Sequence, residues 1–116
     1  MYKFPNESEL LPLLEQEVEL ICCTKHQLTL HLNKNSQISI ESDFVFERDN
    51  TSLAVSFPLL EVTILSLVEC KISDIQIKEG GWVLKLGFTN NQKLLFNSDE
   101  AFETLHIRIG DREFVV

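Results

Sequence analysis

The sequence predicts a mainly β protein of the α+β class. It is expected to consist of two tandem, similar antiparallel β-hairpin units that pack as a sandwich or partly open barrel with short helices. Three observations lead to this prediction: polar and apolar residues alternate in short segments, turn-forming residues separate these segments, and one hairpin pattern occurs twice. Since a single hairpin cannot bury its apolar face, two copies facing each other would form one core.

The chain has the size and composition of a single domain covering residues 1–116. Hydrophobic residues make up 44% and charged residues 24%, close to the average for folded domains, which argues against disorder. A chain of this length buries one core without help from metal ions or disulfide bonds. The sequence therefore predicts one domain rather than two.

The first half reads as a short helix followed by strands. Asn6 or Ser8 provides an N-cap for a helix that Pro12 keeps short. Residues 18–24 have the composition of a strand, and residues 27–32 alternate strictly between polar and apolar side chains. After an asparagine-rich turn, strands are expected over three further segments: 37–41, 43–47 and 53–57.

The segment 58–67 between the two halves is ambiguous. Pro58 suits the first turn of a helix, whereas Val62, Thr63 and Ile64 are β-branched and favour a strand. Periodicity does not separate the two because apolar residues dominate the segment. We expect a helix here, with a strand as the alternative.

The second half repeats the alternation. A strand is expected over residues 68–78, and a Glu-Gly-Gly turn separates it from residues 82–88, where Trp82 shares a face with leucines and a phenylalanine. Residues 98–102 are expected to form one helical turn. The remaining strands are expected over three segments, the last two joined by a tight Gly-Asp turn: 93–96, 104–109 and 113–116.

An internal duplication is the most informative pattern. When the first hairpin is shifted by 56 positions, its apolar residues coincide with those of the second hairpin, and Asn35 coincides with Asn91. The Ser-Asp pair that follows each hairpin also coincides. Any two amphipathic hairpins share some alternation, but the matching turn and exit residues favour a true repeat. The predicted pseudo-repeat covers about residues 14–57 and 66–116.

The second hairpin carries a resemblance to a known family. It reads WVLKLGFTNNQKL from Trp82 to Leu94 and continues through a Ser-Asp pair to Phe102, Glu103 and Ile107. This pattern resembles the DUF6188-like family, small bacterial β-rich domains of unknown function with two similar hairpin halves. The resemblance covers most of the chain and implies no catalytic residues. By size, charge and architecture, the chain also resembles immunity proteins of bacterial contact-dependent and polymorphic toxin systems.

The charge balance excludes some partners and favours others. The chain carries 18 acidic and 10 basic residues, a formal net charge of −8. Nucleic acids and anionic membranes are bound through cationic surfaces, and the sequence has no lysine or arginine cluster. An acidic surface attracts basic proteins and accelerates their association. We therefore expect a basic protein partner, and neither nucleic acid nor membrane.

The sequence is typical of a cytoplasmic protein. The first residues lack the basic region and apolar core of a secretion signal, and no apolar run approaches the length of a membrane span. The three cysteines are an odd number, and two of them are adjacent, which is not the pattern of a disulfide framework. Reduced thiols in the cytoplasm are the expected state.

The sequence carries no catalytic signature and implies no cofactor. Cys22, Cys23 and His26 form the only close cysteine–histidine group, but adjacent strand residues point to opposite faces, so at most one cysteine meets the histidine. The cysteines and histidines lack the spacing of metal ligands, and the four glycines form no phosphate-binding loop. We therefore expect neither an enzyme nor a metal site.

Acidic residues near the ends of both hairpins are the candidate partner-binding residues. A pseudo-two-fold relation between the repeats would give the two groups equivalent positions. Together they would form a docking surface for lysine and arginine side chains, such as those in the substrate groove of a nuclease. The alternative is a solvated loop, with Asp99 acting as a helix cap. The candidates are Glu41, Asp43, Glu47, Asp49, Asp99, Glu100 and Glu103.

These observations favour a binding protein. The first hypothesis is an immunity protein that binds a cognate bacterial toxin domain and occludes its active site. The second is a self-associating structural module, since an edge strand such as residues 113–116 can pair between subunits. The third is a small-ligand-binding domain with a pocket between the repeats. The sequence names neither the partner nor the oligomeric state.

Overall fold

The computed structural model describes residues 3–99 and 103–116 and shows a mainly β fold with 50% strand and 12% helix. This confirms the predicted fold class. Alternating apolar residues form the strands because one face of each lies against the core. In chain order the strands are β1 (Val18–Cys23), β2 (Leu28–Leu32), β3 (Ser36–Ile40), β4 (Phe44–Arg48), β5 (Thr51–Val55), β6 (Ile72–Lys78), β7 (Val83–Phe88), β8 (Lys93–Asn97), β9 (Leu105–Ile109) and β10 (Arg112–Val115).

The helices are short. The predicted N-terminal helix is confirmed as α1 (Glu7–Leu10), and a 3₁₀ helix (Leu11–Leu13) takes over where Pro12 removes a backbone donor. Two further 3₁₀ turns cover Leu65–Leu67 and Glu79–Gly81. In the described part of the chain no helix is long and apolar enough to cross a membrane.

The predicted helix from Pro58 is wrong. Residues 56–64 form an irregular connection, here called the linker, and only Leu65–Leu67 forms a 3₁₀ turn. The three β-branched residues at 62–64 disfavour a helix because their side chains crowd the preceding turn. The predicted helical turn over residues 98–102 lies partly outside the described residues.

The strands form two five-stranded antiparallel sheets that pack as a sandwich and do not close into a barrel. The first sheet has the order β1-β2-β3-β9-β10, and the second has the order β5-β4-β8-β7-β6. Each sheet therefore combines three strands of one half with two strands of the other. The chain passes from one sheet to the other twice, between β3 and β4 and between β8 and β9.

The two halves contact each other through reciprocal hydrogen bonds. The Glu15 amide donates to the Ile72 carbonyl at 2.8 Å, and the Glu69 amide donates to the Val18 carbonyl, also at 2.8 Å. The two bonds are equivalent, because a shift of 54 residues takes Glu15 to Glu69 and Val18 to Ile72. A register irregularity follows Val18 in β1 and Ile72 in β6. The same contacts thus occur twice, once in each half of the chain.

The core is one cluster between the sheets. The Phe44 and Phe96 rings lie 5.8 Å apart, centre to centre, where β4 and β8 meet. Leu10 of α1 and Ile64 of the linker are both fully buried and belong to the same core cluster. The predicted inward-facing leucines of both hairpins, including Leu30 and others at alternate positions, are buried.

Candidate partner-binding surface

The structure separates the acidic residues of the first half into two groups. Glu41 and Asp43 lie on the segment that connects β3 to β4, whereas Glu47 lies near the far end of β4 and Asp49 in the turn after it. A strand rises about 3.3 Å per residue, so roughly 20 Å separates Asp43 from Asp49. These four residues are close in sequence but do not form one surface cluster.

One acidic group lies where the chain crosses between the sheets. Here, the crossover end means residues 41–43 together with residues 98–99 and 103–104. The Glu41 amide donates to the Thr104 carbonyl at 3.0 Å, which places Glu103 beside Glu41. The Thr104 hydroxyl donates to the Asn97 carbonyl at 3.3 Å, at the end of β8 that precedes Asp99. Glu41, Asp43, Asp99 and Glu103 therefore lie at the same end of the sandwich, while Glu100 lies outside the described residues.

Hydrogen bonds hold two carboxylates of the crossover end in place. Asp43 Oδ1 accepts a hydrogen bond from the Phe57 amide at 3.1 Å and so fixes the start of the linker. Glu41 Oε1 accepts one from Gln27 Nε2 at 3.4 Å. Lys25 and Lys78 lie at the same end, in the β1–β2 turn and at the end of β6. The acidic excess there is therefore moderate.

A groove runs along the inner side of β5, where the edge of the sandwich is open. Its upper cavity, beside the linker, has a volume of about 260 Å³ and is lined by residues that include Leu53, Pro58, Leu60 and Glu61. The lower cavity, towards the β4–β5 turn, has a volume of about 220 Å³. It is lined by Phe46, Arg48, Asp49, Thr51, Leu53 and Thr63. Because Leu53 and Thr63 line both cavities, they form one continuous surface, called the β5 groove below.

Apolar side chains are unusually exposed beside the β5 groove. Leu60 on the linker is 97% exposed and Leu53 in the middle of β5 is 43% exposed. Residues 51–54 of β5 are all exposed, and none of them is charged. An exposed large apolar patch next to a groove is typical of an interaction site. The sequence analysis did not identify this site. The pattern that could have indicated it is the uncharged Thr-Ser-Leu-Ala segment at residues 51–54, which precedes the apolar linker.

The outer face of the first sheet carries polar side chains, some of which contact each other. His31 and His106 are half-buried. His106 Nε2 lies 3.4 Å from Glu113 Oε2, within ion-pair distance but without hydrogen-bond geometry. Arg108 Nη2 donates to Gln37 Oε1 at 3.3 Å. Among residues 3–99 and 103–116, no group of three or more histidine, cysteine or acidic side chains is arranged to hold a metal ion.

The adjacent cysteines lie on the first edge of the first sheet. Cys22 pairs with Thr29 and Cys23 with Leu28, so the two side chains point to opposite faces as predicted. Both are exposed and free because β1 has a neighbouring strand on one side only. Their position does not bring them into the β5 groove.

Comparison with known proteins gives no relative for this chain: no family model, curated protein or solved structure matches it. The resemblance to the DUF6188-like domains and to immunity proteins therefore stays a prediction. The function has to be inferred from the surface described above.

Proposed function

We propose that this chain is a binding protein that neutralises a cognate bacterial toxin domain by occluding its active site. The observation that carries this proposal is the β5 groove, an open surface with exposed leucines, where Glu61 lines the upper cavity and the oppositely charged Asp49 and Arg48 line the lower. An apolar centre with charged residues at its margins is the usual arrangement of a protein interface.

The charge of the molecule supports a basic partner. The chain has a formal net charge of −8, and Asp43 of the crossover end is bonded to the Phe57 amide, at the start of the linker that lines the upper cavity. Charges at the rim of an interface mainly raise the association rate, and they suppress partners of like charge. Fast capture of a basic toxin domain is the behaviour that protects a cell from a small number of toxin molecules.

The shape of the groove favours a protein over a small ligand. The two cavities, of about 260 and 220 Å³, lie side by side on an open sheet edge. Small-molecule sites in proteins usually enclose most of the surface of the ligand, whereas this continuous groove is open along the sheet edge. Leu60, almost fully exposed above the groove, would be covered by a protein partner.

The first prediction tests this function through charge. Replacing Glu61 by lysine (E61K) is expected to lower the rate of association with the toxin domain encoded beside this chain about tenfold at low salt, because a rim charge would then repel a basic partner. The matched control is Glu19→Lys, which makes the same change at an exposed position of β1, an edge strand of the other sheet that does not line the groove. Surface plasmon resonance at low and high salt gives both rates.

Protection of living cells gives the decisive readout. Co-expression of the wild-type chain is expected to rescue cells that produce the toxin domain, and E61K is expected to rescue them less well than Glu19→Lys. If the wild-type chain neither binds the toxin domain nor protects the cells, the proposed function is wrong. If both lysine variants behave alike, the toxin binds elsewhere on the surface.

A further inference from the structure

We propose that the partner supplies an extended segment, apolar at alternate positions and basic at its ends, which pairs with β5 as a sixth strand of the second sheet. This inference rests on the proposed function and specifies how the same groove is occupied. In such strand addition, main-chain hydrogen bonds give affinity, and pockets for alternate side chains give specificity. Four features of β5 support it: free backbone groups, an unprotected edge, a groove at the right position and the surrounding charge.

The register of the β4–β5 hairpin shows which backbone groups of β5 are free. Arg48 pairs with Thr51 across the two-residue turn, and such turns make the flanking residues a hydrogen-bonded pair. Hydrogen-bonded and non-hydrogen-bonded pairs alternate along an antiparallel ladder. The amide and carbonyl groups of Ser52 and Ala54 therefore point away from β4, and within residues 3–99 and 103–116 no strand pairs with β5 on that side.

Among the four edge strands of the described residues, β5 has neither a charged residue nor a covering helix. β6 is covered by α1, where Glu7 Oε1 accepts a hydrogen bond from the Ile77 amide at 2.8 Å. β1 includes the charged Glu19, and β10 includes Arg112 and Glu113. Proteins usually protect edge strands with charges, prolines or covering segments, because an open edge pairs with other chains. Strand addition requires an exposed edge without such protection, and β5 is an edge of this kind.

The groove lies where the inward side chains of an added strand would point. Phe46 pairs with Leu53, and Phe46 is buried in the core, so Leu53 lies on the inner face of the second sheet. Neighbouring strands are spaced about 4.8 Å apart, so an added strand would place its inward side chains over the two cavities beside Leu53. A cavity of about 150 Å³ accommodates a benzene ring, and both cavities are larger than this.

The charges around the groove select a basic segment over a second copy of this chain. Glu61 lines the upper cavity and Asp49 the lower, while Glu47 lies on the outer face beside Ser52. Two cations lie near the lower cavity: Arg48 lies over the Phe46 ring at 6.0 Å, and Lys93 of β8 pairs with Glu47. The uncompensated acidic residue of the groove is therefore Glu61. If β5 paired with β5 of a second copy, two molecules that each have a net charge of −8 would be brought into contact, and their repulsion opposes such a dimer.

The experiment uses a defined probe. The probe is a capped heptapeptide in which lysine and valine alternate, added to the ¹⁵N-labelled full-length chain at low salt. Amide hydrogen exchange of Ser52 and Ala54 is expected to slow at least about tenfold, because both amides become hydrogen-bonded. Two control peptides should fail: one with glutamate in place of lysine, and one N-methylated at alternate residues, which presents no donors to the edge.

A pair of proline variants tests the position. Ala54→Pro removes an outward amide without touching the β4 ladder, and Val115→Pro makes the equivalent change at the outward position of β10. Ala54→Pro is expected to abolish binding of the peptide, and Val115→Pro is expected to leave it unchanged. If Ala54→Pro does not fold, the N-methylated peptide still decides between strand addition and binding by charge alone.

The outcomes separate this inference from the proposed function. If the toxin domain binds wild type and Ala54→Pro equally, strand addition is wrong although the binding function stands. If the wild-type chain binds no toxin domain, the proposed function is wrong whatever the peptide does. If Ser52 and Ala54 are already protected without peptide, and sedimentation shows a dimer, the occupant of β5 is a second copy and the inference is overturned.

Discussion

At the residue scale, two asparagines set the hairpin turns. Asn35 and Asn91 occupy equivalent positions in the β2–β3 and β7–β8 turns and have φ values of 55° and 66°, in the left-handed region. Asparagine adopts this conformation more readily than other residues with a side chain, apart from glycine, because its short polar side chain bonds locally. Their coincidence in the sequence thus reflects a shared backbone requirement.

The turn asparagines lead to a stability prediction. Asn91→Ala is expected to reduce the free energy of unfolding by about 1–2 kcal/mol, because alanine pays the steric cost of the left-handed conformation. Asn91→Gly removes that cost and is expected to be close to neutral. Urea unfolding followed by circular dichroism measures both. Equal destabilisation by glycine and alanine would show that the asparagine side chain, rather than the backbone conformation, matters.

At the element scale, α1 is held by one buried side chain. Leu10 is 0% exposed and belongs to the core, whereas its neighbour Leu11 is 51% exposed. Leu10→Ala is therefore expected to destabilise the protein by about 2–5 kcal/mol through lost burial and a cavity. Leu11→Ala is the matched control and is expected to change stability by less than about 0.5 kcal/mol. Thermal and urea unfolding of both variants check the difference.

The strands themselves were largely predictable, because alternation reflects which face is buried. Residues 28–32 and 84–88 were identified this way. β5 begins and ends two residues earlier than predicted, at 51–55, since Asp49 and Asn50, both with positive φ, form a two-residue turn. Trp82 was predicted to share the core face, yet it lies before β7 begins and is half-buried beside Lys3. Local composition does not report where a turn ends.

Pairing between distant strands was not predictable. The pairing of β3 with β9 and of β4 with β8 depends on contacts between residues that are far apart in sequence. No local sequence pattern encodes such contacts. For the same reason, sequence reasoning grouped Glu41, Asp43, Glu47 and Asp49 together, although β4 carries them to opposite ends of the sandwich. The β5 groove was missed because the linker that forms one side of it was expected to be a helix.

At the scale of the whole molecule, neither sheet belongs to one half of the chain. Ile38 of β3 pairs with Ile107 of β9, and the equivalent Leu94 of β8 pairs with Phe46 of β4. Separate chains covering residues 1–57 and 58–116 are therefore expected to lack stable structure alone and to fold when mixed. Circular dichroism and heteronuclear NMR of each fragment and of the mixture test this. A fragment that folds independently would contradict it.

The exchange of strands between the sheets has a consequence for assembly. A chain consisting of one half alone would have three strands for one sheet and two for another, and would complete both only by joining an identical chain. The same ten strands would then form a symmetric homodimer, with strands exchanged between its subunits. In the present chain the linker joins the two halves covalently, so the corresponding edges need not be alike: β5 is uncharged, whereas β10 carries Arg112 and Glu113.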